Sequence, residues 1–345
     1  MSAVPMKKTD APPRRPRRRI DPQRLPLAVT LALFVTASLV SVTMYPAMLS
    51  LQVFLNLLID NAFLCIVAVG MTFVILSGGI DLSVGALLAL TTMISAWLIE
   101  RAGWHPMVVI PLVLLFGAGF GAFMGVLIQR LQLQPFLVTL AGLFLARGLC
   151  YVISIDSIAI DHDWIAWISQ MRVPVAPKAL LSVGAIVALV VVAIGIFVAH
   201  GTEFGRTVYA IGGDPGSAVL MGLPVRSTLV GVYALSGFCS ALGGVVFTFY
   251  MQSGYGLHAV GLELDAIAAV VIGGTLLAGG VGYVAGTLVG VLLLGLIQSL
   301  IMFDGTLSSW WTRIVIGALL FVFCLLQRLL EQRRPSPETA GPSEG

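Results

Sequence analysis

Long apolar stretches follow one another along most of this chain and are separated by short polar segments. A stretch of about 20 apolar residues is long enough to cross a bilayer as a helix. Hydropathy places the predicted spans at 27–45, 53–77, 84–100, 106–129, 136–155, 179–199, 227–250, 266–279, 283–303 and 313–330. The pattern therefore predicts an all-α, polytopic integral membrane protein with about ten transmembrane helices.

Two breaks are predicted in the apolar pattern, one in the stretch 266–279 and one around Asp81 between the spans 53–77 and 84–100. The stretch 266–279 is too short for an upright crossing and ends in two glycines, so we expect a half-helix or a re-entrant segment. Asp81 is a lone carboxylate in a long apolar run, and facing lipid it would cost roughly 2.5–3.5 kcal/mol. Gly78, Gly79 and Gly85 around it indicate irregular backbone, which is tolerated at membrane depth only inside protein or beside a water-filled cavity. Both breaks indicate a pathway for a polar solute.

Composition excludes a soluble domain and gives the chain an orientation. Hydrophobic residues make up 58% of the 345 and charged residues 10%, whereas soluble domains carry about 25% charged residues. A basic cluster precedes the first span, and such an arm indicates a cytoplasmic N-terminus rather than binding to nucleic acid. We predict a basic cytoplasmic arm at 1–26, a transmembrane domain at 27–330 and a disordered cytoplasmic tail at 331–345.

Two longer polar segments connect the spans. Segment 156–178 is expected outside the membrane, where Trp164 and Trp167 predict an amphipathic piece at the interface. Segment 200–226 is expected in the cytoplasm. Within it, Asp214 is a good N-cap, Pro215 suits the first helical position and Gly222 suits the stop. These signals predict a helix of at most two turns whose exposed apolar residues dock into a partner.

Other features indicate packing rather than chemistry. Gly117, Gly121 and Gly125 recur at helical spacing, as do three glycines in 282–290, and such strips predict close helix packing within or between subunits. Glu263 and Asp265 stand before 266–279, where carboxylates complement the helix dipole; a role in the pathway is compatible with this.

Several classes of chemistry have no support in the sequence. Residues 201–207 resemble a phosphate-binding loop but lack its lysine, so ATP, if it drives this system, is bound by another chain. The four cysteines lie in separate apolar runs, and the histidines are scattered. We therefore predict no catalytic residue, no metal site and no cofactor bound by this chain.

Three motifs resemble those of one family. Gly70-Met71-Thr72-Phe73-Val74-Ile75-Leu76-Ser77-Gly78-Gly79-Ile80-Asp81-Leu82-Ser83-Val84-Gly85 resembles the signature stretch of bacterial ABC sugar importer permeases of the ribose, xylose and galactofuranose type. Tyr209-Ala210-Ile211-Gly212-Gly213 and 263–275 resemble two further signatures. Segments 60–64 and 303–312 look most like the permeases of galactofuranose importers. The resemblance covers about residues 27–330.

The resemblance implies a set of partners and a location. It implies a cytoplasmic ABC ATPase, a periplasmic sugar-binding protein, a second permease subunit and the bacterial inner membrane. The second subunit is expected to be a different chain, with a homodimer as the alternative. By position, the short helix is similar to the coupling helix that docks into the ATPase, although Pro215-Gly216-Ser217 departs from the Glu-Ala-Ala of many members.

These observations together predict an importer that moves a monosaccharide inward. The predicted pathway-lining or pathway-shaping residues are Asp60, Asn61, Ser77, Gly78, Gly79, Asp81, Ser83, Glu263, Asp265, Gly273 and Gly274. The predicted coupling residues are Gly212, Gly213, Asp214, Pro215, Ala218, Val219, Leu220 and Gly222. Galactofuranose is the expected cargo, with ribose- or xylose-type sugars, branched-chain amino acids or nucleosides as alternatives. An ion-coupled transporter would need titratable residues in several spans, and the candidates are Asp60, Asp81 and Arg147.

Overall fold

The computed structural model describes residues 25–305 and 310–332, and this part of the chain is mostly helical. The predicted arm and tail fall mainly outside the described residues. The α-helices are α1 (Leu25–Met44), α2 (Leu51–Asp60), α3 (Ala62–Leu76), α4 (Val84–Ala96), α5 (Pro106–Leu131), α6 (Pro135–Ile153), α7 (Asp163–Gln170), α8 (Val183–Gly201), α9 (Glu203–Gly213), α10 (Pro215–Leu220), α11 (Val225–Met251), α12 (Leu262–Ile272), α13 (Val284–Asp304) and α14 (Trp310–Gln332). A 3-10 helix, Pro46–Leu49, precedes α2, and a π-helical turn, Trp97–Arg101, extends α4.

The predicted all-α membrane fold is confirmed. Within the described residues, seven helices are long and apolar enough to cross a membrane, and the bent pair α2–α3 adds an eighth. Helices α12 and α14 correspond to the remaining two predicted spans. The chain is therefore a multi-pass membrane protein.

Three predicted spans differ from the structure. The span 53–77 is not one helix, because α2 and α3 meet at Asn61 with a bend of 60°. The span 266–279 becomes α12, which begins earlier, at Leu262, and ends at Ile272. The span 179–199 starts as a strand, and its helix begins only at Val183.

Two small antiparallel sheets were not predicted. Strand β1 (Ile158–Ala159) pairs with β4 (Ser253–Gly254), which ties segment 156–178 to the end of α11. Strands β2 (Arg172–Ala176) and β3 (Ala179–Ser182) form a hairpin. The amide of Gln52 in α2 bonds both backbone groups of Leu180 in this hairpin, at 3.1 and 2.7 Å.

The core is built around α3 and α11. In α3, every residue from Leu64 to Leu76 is buried, as expected for a helix that is apolar all round. Helix α11 lies against α5 along the predicted glycine strip, where a Cβ on Gly121 would lie 2.1 Å from the Tyr233 carbonyl oxygen. A Cβ on Gly290 of α13 would lie 2.0 Å from the carbonyl oxygen of Ala269 in α12. Both strips therefore pack helices within this chain.

Candidate functional site

Asp81 is fully buried, in the loop 77–83 that joins α3 to α4. Its Oδ1 accepts hydrogen bonds from the Ser83 amide at 2.9 Å and from the Ser83 hydroxyl at 2.6 Å. Its Oδ2 accepts from the hydroxyl of Ser236, in α11, at 2.7 Å. The expectation that Asp81 avoids lipid is confirmed: three donors hold its carboxylate, and the loop is thereby fastened to α11.

A second carboxylate approaches the start of α4 from another side. Glu263 and Asp265 lie in the first turn of α12 rather than before it. A Cβ on Gly85 would lie 2.3 Å from Oε2 of Glu263, so this carboxylate rests against the first turn of α4. Because a helix N-terminus carries partial positive charge, the start of α4 is balanced by two carboxylates of the chain itself. Oε2 of Glu263 is buried without a hydrogen-bond partner among the described residues.

The two predicted breaks, which are the loop 77–83 after α3 and the segment 273–283 after α12, contact each other. The amide of Gly280 donates to the carbonyl oxygen of Leu76 at 2.9 Å, which joins the segment after α12 to the end of α3. Gly78, Gly279 and Gly280 have φ of 82°, 88° and 73°, the left-handed region that favours glycine. A Cβ on Gly279 would lie 2.9 Å from the Gly78 nitrogen, so the breaks touch backbone to backbone.

The remaining predicted residues of the breaks have local roles. The Ser77 hydroxyl donates to the Val74 carbonyl at 2.8 Å at the end of α3. A Cβ on Gly273 would lie 2.5 Å from the Gly286 carbonyl oxygen, so Gly273 lets α12 and α13 approach. Gly274 has φ 97° and turns the chain out of α12.

Asp60 and Asn61 lie at the other end of α3, apart from the Asp81 region. A helix of this length spans about 22 Å, so the two groups form separate sites. The Asn61 amide donates to the Leu57 carbonyl at 2.9 Å and packs against Gly295 of α13. Asp60 has the Tyr250 hydroxyl 3.5 Å from its Oδ1. These two residues shape the bend between α2 and α3.

The predicted short helix is present as α10. The Asp214 side chain caps it by accepting from the Gly216 amide at 3.0 Å and from the Ser217 hydroxyl at 2.6 Å. These bonds, the one from Ser217 above all, lower the pKa of Asp214. Gly222, with φ 74°, follows the helix.

The two faces of α10 differ. Ala218 is fully buried, whereas Val219 and Leu220 are 60% and 89% exposed, as predicted. Gly212 and Gly213 do not belong to this helix: they are the last residues of α9, which the sequence analysis did not predict.

Sequence reasoning also missed a polar anchor on α6. Nη1 of Arg147 donates to the carbonyl oxygens of Gly256 and His258, at 2.6 and 2.8 Å. It thereby holds the loop between α11 and α12. An arginine inside an apolar span is a signal for such a role, but the carbonyl partners cannot be read from the sequence.

Searched over residues 25–305 and 310–332, the structure has no group of three or more metal-ligating side chains. The four cysteines are free, and three of them are buried. Their positions agree with a packing role.

Residues 53–324 match the family described as branched-chain amino acid transport system / permease component. The chain is 53% identical over 321 residues to the inner membrane ABC transporter permease protein YjfF of Escherichia coli, covering 92% of this chain and 97% of that relative. It is 40% identical over 316 residues to the fructose import permease protein FruG of Bifidobacterium longum, covering 90% and 92%. It is 36% identical over 313 residues to the ribose import permease protein RbsC of Haemophilus influenzae, covering 88% and 93%. No solved structure matches the chain.

Proposed function

This chain belongs to the family of branched-chain amino acid transport system permease components, and from that premise we propose that it is the membrane-spanning subunit of an ATP-driven sugar importer. It would move a monosaccharide inward across the bacterial inner membrane. Relatives named for fructose and ribose import, each aligned over most of its length, support a sugar as cargo. A relative named as an inner membrane ABC transporter permease supports the location.

The observation that carries the proposal is α10. This helix has its own start and stop signals, although a plain loop would suffice to join α9 to α11. Its outer face presents Val219, Leu220 and Met221, which are 60%, 89% and 65% exposed. An apolar helix face outside the spans is typical of a surface that docks into a partner groove. We assign that partner as a cytoplasmic ATPase, and we propose that both chain termini lie on the same cytoplasmic side.

The surface beside α10 fits a protein partner. A cavity of about 650 Å³ opens between α9 and the start of α11, and its lining combines apolar residues such as Phe204 and Leu223 with Glu203, Arg206 and Ser227. Charged and polar groups around an apolar centre are the usual arrangement of a protein interface. The ATPase would cover the exposed side chains of α10 and contact the mixed apolar and polar lining of this cavity.

The carboxylates at the start of α4 support a neutral cargo. In transporters with broken helices, half-helix N-termini point at anionic groups of the substrate. Here Asp81 and Glu263 already occupy the start of α4. An additional anion there would meet repulsion, whereas a neutral sugar would not. The resemblance of segments 60–64 and 303–312 to galactofuranose permeases supports a furanose sugar.

The burial of Asp81 and Ser83 bears on the route, and the family supports the remaining partners. Asp81 and Ser83 are fully buried, so we assign them to shaping the route rather than to lining it. The sugar would pass along the boundary with a second permease subunit, a different or an identical chain. A periplasmic sugar-binding protein would deliver it.

The test is reconstitution of the permease with its ATPase, second subunit and binding protein in proteoliposomes. ATP inside the vesicles should drive uptake of labelled D-galactose, D-ribose or D-fructose, and labelled leucine tests the amino-acid alternative. Leu220→Asp should abolish uptake and ATPase binding without loss of folded protein, whereas Leu220→Met should retain both. Uptake that persists without ATP and stops on collapse of the proton gradient would contradict the proposal.

A further inference from the structure

The last turn of α9 sits directly on the contact between the two breaks. A Cβ on Gly212 would lie 1.8 Å from the Leu76 carbonyl oxygen and 2.3 Å from the Gly280 nitrogen. These two atoms are the partners of the hydrogen bond that joins the breaks, at 2.9 Å. Gly212 therefore packs against that hydrogen bond with its backbone, and no side chain fits between them.

The contact is made of backbone on every side. A Cβ on Gly279 would lie 3.1 Å from the Gly212 α-carbon, and a Cβ on Gly280 would lie 3.0 Å from the Gly212 carbonyl carbon. We call Gly78, Gly212, Gly279 and Gly280 the glycine junction. Backbone atoms in direct contact have no rotamers through which to yield, so a displacement of one segment is passed to the others.

The junction lies next to the docking helix along the chain. The Asp214 amide donates to the Ala210 carbonyl at 3.1 Å, and the Asp214 side chain caps α10. One residue thus closes α9 and opens α10. A single residue, Gly213, separates Asp214 from Gly212, so the chain has no flexible linker in which movement of α10 could be lost.

A second contact fastens α9 to the same break. The Tyr209 hydroxyl donates to the Gly282 carbonyl oxygen at 2.8 Å. The ring of His200, at the end of α8, stacks on Tyr283 with ring centroids 6.1 Å apart. The segment after α12 is therefore held against α9 at Gly282 and against the end of α8 at Tyr283.

We propose that the glycine junction transmits displacement of α10 to both membrane breaks, with Gly212 as the positioning residue. This inference rests on the proposed function, since it takes α10 as the ATPase contact. In physical terms, α9 and α10 act as one lever whose inner end bears on the end of α3 and on the segment after α12. A movement imposed on α10 would then shift both breaks together.

The chain offers a matched pair of variants to test this. Gly212→Ala places a methyl group onto the Leu76–Gly280 hydrogen bond, whereas at Gly213 an added Cβ meets nothing within 4 Å. Both residues are helical glycines in the same turn. The reconstituted importer is assayed for ATPase co-purification, ATP hydrolysis and sugar uptake.

We expect Gly212→Ala to retain the ATPase and to hydrolyse ATP while sugar uptake per ATP falls at least about fivefold, the lower range of coupling between sites. Gly213→Ala should stay close to wild type, because Gly213 is the last residue of α9, outside the docking helix, and its added methyl group meets no atom within 4 Å. If Gly212→Ala keeps the wild-type uptake per ATP, the proposed role of the glycine junction is wrong. If the wild-type complex shows no ATP-driven uptake, the proposed function is wrong instead.

A milder variant decides the matter if Gly212→Ala does not assemble. Tyr209→Phe removes only the hydroxyl that bonds Gly282. With the ATPase bound normally, uptake per ATP should fall below that of Gly213→Ala. Equal values for these two variants would overturn the proposal.

Discussion

Replacement of Asp81 by leucine tests whether the buried carboxylate holds the first break together. The change keeps a side chain of similar size but removes the acceptor of three hydrogen bonds. The Ser236 hydroxyl can turn to a carbonyl of its own helix. The amide and the hydroxyl of Ser83 both lose their acceptor and stay buried, since Ser83 is fully inaccessible.

The magnitude follows from the stranded donors. A buried donor without a partner costs roughly 1–3 kcal/mol, so the two groups of Ser83 together cost roughly 2–6 kcal/mol. Asp81→Asn should cost much less, because its oxygen still accepts from Ser83 and its amino group can donate to the Ser236 hydroxyl. Ser236→Ala removes a single bond to a charged acceptor, worth roughly 1.5–3 kcal/mol.

The thermal stability of the purified permease in detergent, measured by size-exclusion chromatography after heating, ranks these variants. Asp81→Leu should be the least stable, and Asp81→Asn the closest to wild type. A leucine variant as stable as wild type would refute the reasoning. It would mean that the free-energy cost of desolvating the carboxylate equals the free energy gained from its hydrogen bonds, as happens at some buried charges.

Three further predictions concern other contacts. Gly121→Ala should destabilise the α5–α11 contact by about 1–3 kcal/mol, whereas Gly119→Ala, whose Cβ meets open space, should not; detergent stability of the two proteins compares them, and equal values would contradict the close approach. Arg147→Met should free the loop 252–261, at roughly 1.5–3 kcal/mol per lost bond, so its amides should exchange faster with deuterium than in wild type. Because its hydrogen bonds lower the pKa of Asp214, the cap of α10 is complete above the ordinary carboxylate pKa of about 3.9 and is lost only as the pH falls through the lower native value. The cap should therefore be retained at about pH 5, and uptake should not fall there through loss of the cap. At neutral pH, Asp214→Asn should keep more uptake than Asp214→Ala.

Local signals in the sequence predicted the elements that depend on neighbouring residues. Helix α10 was placed correctly because Asp214, Pro215 and Gly222 act on the residues next to them. The burial of Asp81 followed from the cost of a charge in lipid, and its bonds to Ser83 lie two residues away. Its bond to Ser236 joins residues that are far apart in the sequence, so no local sequence pattern predicts it.

Elements that depend on tertiary contacts were missed. Helix α9 contains glycine at three of its eleven positions, which argues against a helix. It forms because Thr202 caps it, and Val208 and Ile211 are buried. The strand at 179–182 continues an apolar run, so hydropathy assigned it to the following span, whereas its pairing with β2 made it a hairpin.

The hydrogen bond between Leu76 and Gly280 also has a consequence for biosynthesis. The ribosome completes α3 long before it reaches the second break, so the Leu76 carbonyl enters the bilayer without the amide that later satisfies it. The part of the chain that precedes Gly280 therefore lacks one hydrogen bond of the finished fold until the segment after α12 has been made. A chain terminated before Gly280 should be recognised by membrane quality control and degraded.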